Sequence, residues 1–136
     1  MGPLPSSTLI IIESGAEAPA MAGRVLAQDD GESMPRFVAR VRAEVAAELT
    51  VHRVVMVAGR THDFTRIAAR SEIARSAAQA IAAGGGGSLV LAASDVRGEL
   101  AQRALGEILR EQLGAAFGGS GVRVAVADLA TPSIAA

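Results

Sequence analysis

Three short aliphatic runs, set apart by segments of helix length, constrain this chain more than any other feature. Residues 8–13 (TLIIIE), 53–58 (RVVMVA) and 88–93 (SLVLAA) are apolar on both faces, as the buried strands of a parallel sheet are. Between and after them lie amphipathic stretches. Ser33 is a good N-cap and Pro35 sits in a first turn, where its missing N–H costs little. Val38, Val41, Val45 and Leu49 then recur on one helical face, with Arg40 and Glu44 four apart on the other side. A second helix is expected from about Phe64 to Ala83, capped by Thr61 or Asp63, with Ile67, Ala74, Ala78 and Ile81 on its inner face. A third is expected from about Arg97 to Phe117, capped by Ser94 or Asp95. Its stripe is Leu105, Ile108, Leu109, Leu113 and Phe117, and Arg103 and Glu107 can pair across one turn.

Residues 122–127 alternate Val122, Val124 and Val126 with Arg123, Ala125 and Ala127, a pattern that suits an edge strand with one exposed face. From Ser33 onward the order is therefore α-β-α-β-α-β. Strands joined through one helix become parallel neighbours with right-handed crossovers. The chain is expected to be an α/β, Rossmann-like domain with a mostly parallel sheet of four or five strands and three main helices, in two or three layers. Residues 24–28 read as a further strand, which would most simply form an antiparallel hairpin with the first. A length of 136 residues fits one domain, placed at residues 8–129, with tails at 1–7 and 130–136.

Composition removes several classes of function. Cysteine is absent, so disulfides, thiolate zinc sites and thiol nucleophiles are excluded. Lysine is absent too, and all 13 basic residues are arginine, as a GC-rich, bacterial-type coding bias produces. With 14 acidic residues the formal charge is −1, which argues against a nucleic-acid footprint. Three phenylalanines, with no tyrosine or tryptophan, leave little for base stacking. No apolar run reaches the roughly 18 residues that span a bilayer, and no basic segment precedes residues 9–12 as a secretory signal requires. These features lead to the expectation of a cytoplasmic protein with no membrane or nucleic-acid partner.

In an open parallel sheet, ligands bind at the carboxyl ends of the strands, beside the switch in strand order. The segments leaving those ends hold the most polar chemistry of the chain. His62 beside Asp63 is the candidate for general-base chemistry, in which a carboxylate orients an imidazole; helix capping competes for Asp63. Arg60 can clamp an anion through its planar fork, and Thr61 can serve as a cap or a phosphate ligand. Ser94 and Asp95 leave the next strand in the same way, followed by Arg97. Glu13, at the end of the first strand, is expected to face Arg60 or Arg97. A small anionic ligand would then touch Glu13, Arg60, Thr61, Ser94, Asp95 and Arg97. His52 lies at the opposite end of the sheet and receives no role.

The glycine run at 84–87 is not a phosphate loop. Such a loop follows a strand and opens a helix, whereas this run follows a helix and enters a strand, as a C-cap does. Walker, GxGxxG, GxSxG and HExxH signatures are all missing. So is the glycine-rich nucleotide signature that compact doubly wound domains such as the universal stress proteins carry near the last strand, since 122–131 contains no glycine. No cofactor or metal is implied. The leading expectation is a non-enzymatic accessory or regulatory domain that pairs with itself or a partner, as a homodimer through the edge strand at 122–127. A binder of a nucleotide or other small anion at the strand ends comes second, and a small hydrolase using His62 third.

Overall fold

A computed structural model describes residues 8–47, 51–60, 63–93, 95–117 and 121–128. They form β1 (Thr8–Ile12), β2 (Arg24–Ala27), α1 (Met34–Ala47), β3 (Arg53–Ala58), α2 (Phe64–Ala83), β4 (Gly87–Ala93), α3 (Val96–Phe117) and β5 (Val122–Asp128). The five strands make one sheet in the order β2-β1-β3-β4-β5, and every pairing is parallel. The fold is α/β, as the spacing of the aliphatic runs implies.

The antiparallel N-terminal hairpin is not formed. Leu9 pairs with Arg24 and Ile12 with Ala27, so β2 runs alongside β1 in the same direction. Residues 13–23 carry the chain back along the sheet without a helix. About 36 Å of extended chain is ample for a strand this short. The backbone N–H of Gln28 donates to the Ile12 carbonyl (2.8 Å), which holds the two strand exits together.

All three helices lie on one face. Phe37, Val38, Val41 and Val45 of α1, Ile73, Ala74, Ala77, Ala78 and Ile81 of α2, and Leu105, Leu109 and Leu113 of α3 share a single core with Leu9, Ile11, Val54, Met56, Leu89 and Leu91. The right-handed crossover rule accounts for this arrangement. From β2 to β5 the chain always advances in one direction across the sheet, so each helix lands on the same side. The step from β1 to β2 runs the other way, and its connection falls on the opposite face. There Ala16 and Met21 pack against Ile10, Ile12, Val55, Val57, Val90 and Ala92. The layer count is therefore two layers of regular structure, with an irregular connection on the second face.

Local chemistry sets the element ends. Ser33 Oγ accepts from the Arg36 N–H at the start of α1 (3.3 Å). Asp63 caps α2 and Asp95 caps α3, each through its side chain. Gly84 closes α2, its N–H returning to the Ala80 carbonyl (3.0 Å). Gly87 is required at the entry to β4. It has φ +154°, and a Cβ there would stand 1.8 Å from the His52 carbonyl oxygen. The glycine run and His52 thus share the amino rim, away from the caps. Two surface pairings differ from expectation. Arg40 pairs with Glu32 rather than Glu44, which pairs with Arg24, and Arg103 pairs with Glu99, one turn back, rather than Glu107.

Candidate functional site

The switch in strand order falls between β1 and β3: the chain leaves β1 for β2 on one side and later enters β3 on the other. A crevice at the carboxyl ends of these two strands is where this architecture places ligands. Here it is filled by the chain's own side chains. Glu13 follows β1 and is buried, but neither Arg60 nor Arg97 meets it. Arg70, reaching down from α2 and only 1 % exposed, binds it bidentately, Nε to Oε2 at 2.5 Å and Nη2 to Oε1 at 2.8 Å. Oε1 also accepts from the Gly59 N–H (3.1 Å) and from Arg66 Nη1 (3.4 Å). Gln28 extends the cluster to β2. Its Oε1 accepts from Arg66 Nη1 (3.1 Å) and the Ser14 N–H (3.0 Å), while its Nε2 donates to the Glu32 carbonyl (2.8 Å).

One carboxylate thus ties β1, β3 and α2 together, and one amide adds β2. Gly59 is part of the fit: a Cβ there would lie 2.7 Å from the Ser14 carbonyl oxygen. A buried carboxylate is tolerable only when such partners replace its lost hydration. Glu13 has them in Arg70, Arg66 and the Gly59 N–H. A related pair sits next to it in more solvent. Glu32 accepts from Arg40 Nη2 (2.7 Å) and Nε (3.1 Å), and from the Asp29 N–H (3.0 Å). The Arg40 guanidinium, then that backbone N–H, hold the Glu32 carboxyl down to about 2.

The mouth between β3 and β4 is built differently. Asp63 Oδ1 accepts from the Arg66 N–H (2.9 Å) and Asp95 Oδ1 from the Gly98 N–H (2.6 Å), so both carboxylates act as helix caps. Arg60 and Arg97 are exposed, and among the described residues neither has a carboxylate within ion-pair reach. Thr61, His62 and Ser94 lie outside the described residues. Of the expected site residues, Arg60, Asp63, Asp95 and Arg97 share this rim, while Glu13 is drawn into the neighbouring cluster.

Arg70, Arg66, Gln28 and Gln102 escape a reading of the sequence. Arg70 lies one turn before Ala74, in phase with the buried stripe of α2, and an arginine in that phase is the signal that a buried carboxylate awaits it. Gln102 is buried beneath α3, its Nε2 donating to the carbonyls of Met56 and Ala92, both at 3.2 Å, while its Oε1 has no partner. Among the described residues no group of His, Asp and Glu could hold a metal ion, and no helix is long and apolar enough to cross a membrane.

Two surface cavities lie on the helical side of the sheet. One of about 610 Å³ opens between α1 and α2 along Ala39, Ala43, Ala80 and Ala83. Another of about 590 Å³ is bordered by Arg42, Arg75 and Gln112. Neither is lined by Glu13, Arg60, Asp63, Asp95 or Arg97. Comparison with protein families, with characterised proteins and with solved structures finds no match for this chain.

Proposed function

We propose that this chain is a non-enzymatic accessory or regulatory domain that acts by pairing with a second copy of itself through β5. The observation that carries the reading is the state of that edge. β5 is seven residues long and pairs with β4 in continuous register from Val122 to Asp128. Among the described residues no strand borders its outer side. A long, straight edge is a template for another chain unless it is short, bulged, proline-bearing or guarded by charge. β5 has no bulge and no proline, and its exposed face offers Arg123 and Ala125. Arg110 Nη2 reaches one of its carbonyls, that of Val124 (3.3 Å).

The opposite edge is shorter. β2 has four residues and Arg24 is tied to Glu44; as at β5, an arginine donates to an edge carbonyl, here Arg40 Nη2 to that of Ala27 (2.6 Å). A two-fold axis beside β5 would set the two edge strands antiparallel and join the sheets into one. Filling of the β1–β3 crevice by Glu13 and Arg70 also favours association over small-molecule chemistry, because the place where this architecture seats a ligand is occupied.

Light scattering over a concentration series tests the reading. The wild-type chain is expected to be dimeric. Ala125→Lys, which sets like charges near each other across the joined edges, is expected to weaken the dimer by about tenfold or more while the circular dichroism spectrum stays unchanged. A wild-type chain that remains monomeric at high micromolar concentration would remove the proposal.

A further inference from the structure

Resting on the self-pairing reading, we propose that α3 forms a second layer of that surface. Its row of Glu99, Arg103, Glu107 and Arg110 meets the same row of the second copy, antiparallel and acid against base. The juxtaposition that carries this is a helix of alternating charge lying along the open edge of β5.

The first observation is where the row lies. Its members recur at intervals of four, four and three, so they form one stripe of α3. Arg110 fixes the direction of that stripe, because its Nη2 donates to the Val124 carbonyl of β5 (3.3 Å). The other flank of α3 faces α2, where Gln112 borders a cavity with Arg75 and Gln79. The row is therefore on the flank above the sheet edge, and its side chains reach solvent, Arg103 at 62 % and Glu107 at 77 % exposure. Among the described residues no further helix or strand lies beyond it.

The second observation is spacing. α3 lies over both of the outer strands: a Cβ on Gly106 would stand 3.2 Å from Val126 Cγ2 of β5 and 3.6 Å from Leu91 Cδ1 of β4. A two-fold axis perpendicular to the sheet and beside β5 keeps both helical layers on one face and turns the two α3 helices antiparallel. It sets them two strand spacings apart, roughly 10 Å, the distance at which helices pack. Gly106 also shows that the two pairings share a centre. It stands over Val126, next to Ala125 in the middle of β5, and it is close to the midpoint of the charge row. One axis thus centres the strands and the helices together.

The third observation is the order of charge, and it selects the occupant. Along the helix the row reads acid, base, acid, base. Reversed, it reads base, acid, base, acid. An antiparallel copy therefore sets Glu99 against Arg110 of the partner subunit, and Arg103 against Glu107 of the partner subunit. A parallel copy would set each residue against its own sign, and a uniformly charged partner would do so for half of the row. The pairs formed within one chain, Glu99 with Arg103 (2.7 Å) and Glu107 with Arg110 (3.0 Å), leave this exchange open. Exposed single pairs hold weakly, whereas the same charges flanking a helix–helix seam fix orientation and partner choice.

Two double variants of the full chain test it by analytical ultracentrifugation. Glu99→Arg with Glu107→Arg makes the row wholly basic, and Arg103→Glu with Arg110→Glu makes it wholly acidic. Each is expected to weaken its own dimer by about tenfold or more, and an equimolar mixture of the two is expected to restore dimerisation as the mixed pair. Circular dichroism checks that the variants fold. Should one of them not fold, a salt series on the wild-type chain decides: its dimer is expected to weaken several-fold between about 0.05 and 0.5 M salt, and a dimer indifferent to salt would overturn the inference. So would a dimer that Ala125→Lys breaks but both double variants leave intact, or one that the mixture fails to restore; in those cases the edge pairing stands and only the helix layer falls. A wild-type chain that stays monomeric would overturn both readings.

Discussion

The two mouths of the sheet use the same parts to opposite ends. At the β1–β3 mouth a strand exit, a glycine and two arginines of α2 converge on Glu13; Arg70 is buried there and Arg66 half-buried. At the β3–β4 mouth two strand exits, two capped helices and two arginines also meet, yet the arginines stand in solvent beside Phe64 and Leu100. What differs is burial. Glu13 and Arg70 are enclosed together between the sheet and α2, whereas Asp63 and Asp95 stand exposed at the helix starts, where each accepts a backbone N–H.

The largest effect is expected at the brace. Glu13→Ala or Arg70→Ala should each lower stability in urea denaturation by about 3–5 kcal/mol, since either takes a bidentate counter-ion from a buried charge. Replacing both, as Glu13→Leu with Arg70→Met, should return most of that loss. Fully additive losses would mean that the two side chains do not act as a unit. Gly59→Ala comes next, at about 1–3 kcal/mol, from the collision of its Cβ with the Ser14 carbonyl.

Removing the caps sharpens the contrast at the second mouth. Asp63→Ala and Asp95→Ala should each cost about 1 kcal/mol, well below Glu13→Ala, although all three residues are carboxylates on one rim. Glu32 supplies a solvent-accessible version of the brace, and pH separates it from the rest. Its folded carboxyl titrates near 2, below the ordinary value of 4.5. The stability it contributes is therefore fully present above about 4.5 and is lost as pH falls toward 2. Glu32→Gln should cost about 1 kcal/mol at neutral pH, and denaturation curves of the two proteins should converge in acid. The smallest effect belongs to the exposed surface: Phe64→Ser and Leu100→Ser should change stability by no more than about 0.5 kcal/mol. A loss comparable to that of Gly59→Ala would show these residues to be packed, and the distinction between the mouths would fall.

Much of this was legible in the chain and some was not, for physical reasons. Runs such as 53–58 and 88–93 are too apolar for anything but a buried strand, and the helix-length spacing between them dictates parallel neighbours. The rim that receives the glycines follows from their order relative to helix and strand. The direction of β2 was hidden because residues 13–23 have no periodicity to betray a crossover, and a hairpin is the simpler reading of two nearby strands. Arg70 was hidden because charge argues against burial until a partner is known, and that partner lies 57 positions away along the chain. Ile67 and Ile108 suit an inner stripe by spacing, but both are exposed. Ile67 belongs to the first turn of α2, near the carboxyl rim, and Ile108 is turned away from the sheet beside Leu109, so neither fills the core.

The place of β1 in the sheet bears on how the protein is made. It sits between β2 and β3, which α1 joins directly, so the earliest of the strands to be synthesised occupies a central slot. Its Leu-Ile-Ile-Ile stretch is synthesised before either lateral neighbour, and the neighbour on its β3 side follows only after α1. Such a stretch has the composition of an aggregation nucleus. The segment is sheltered on both sides only when β2 and β3 have paired with it.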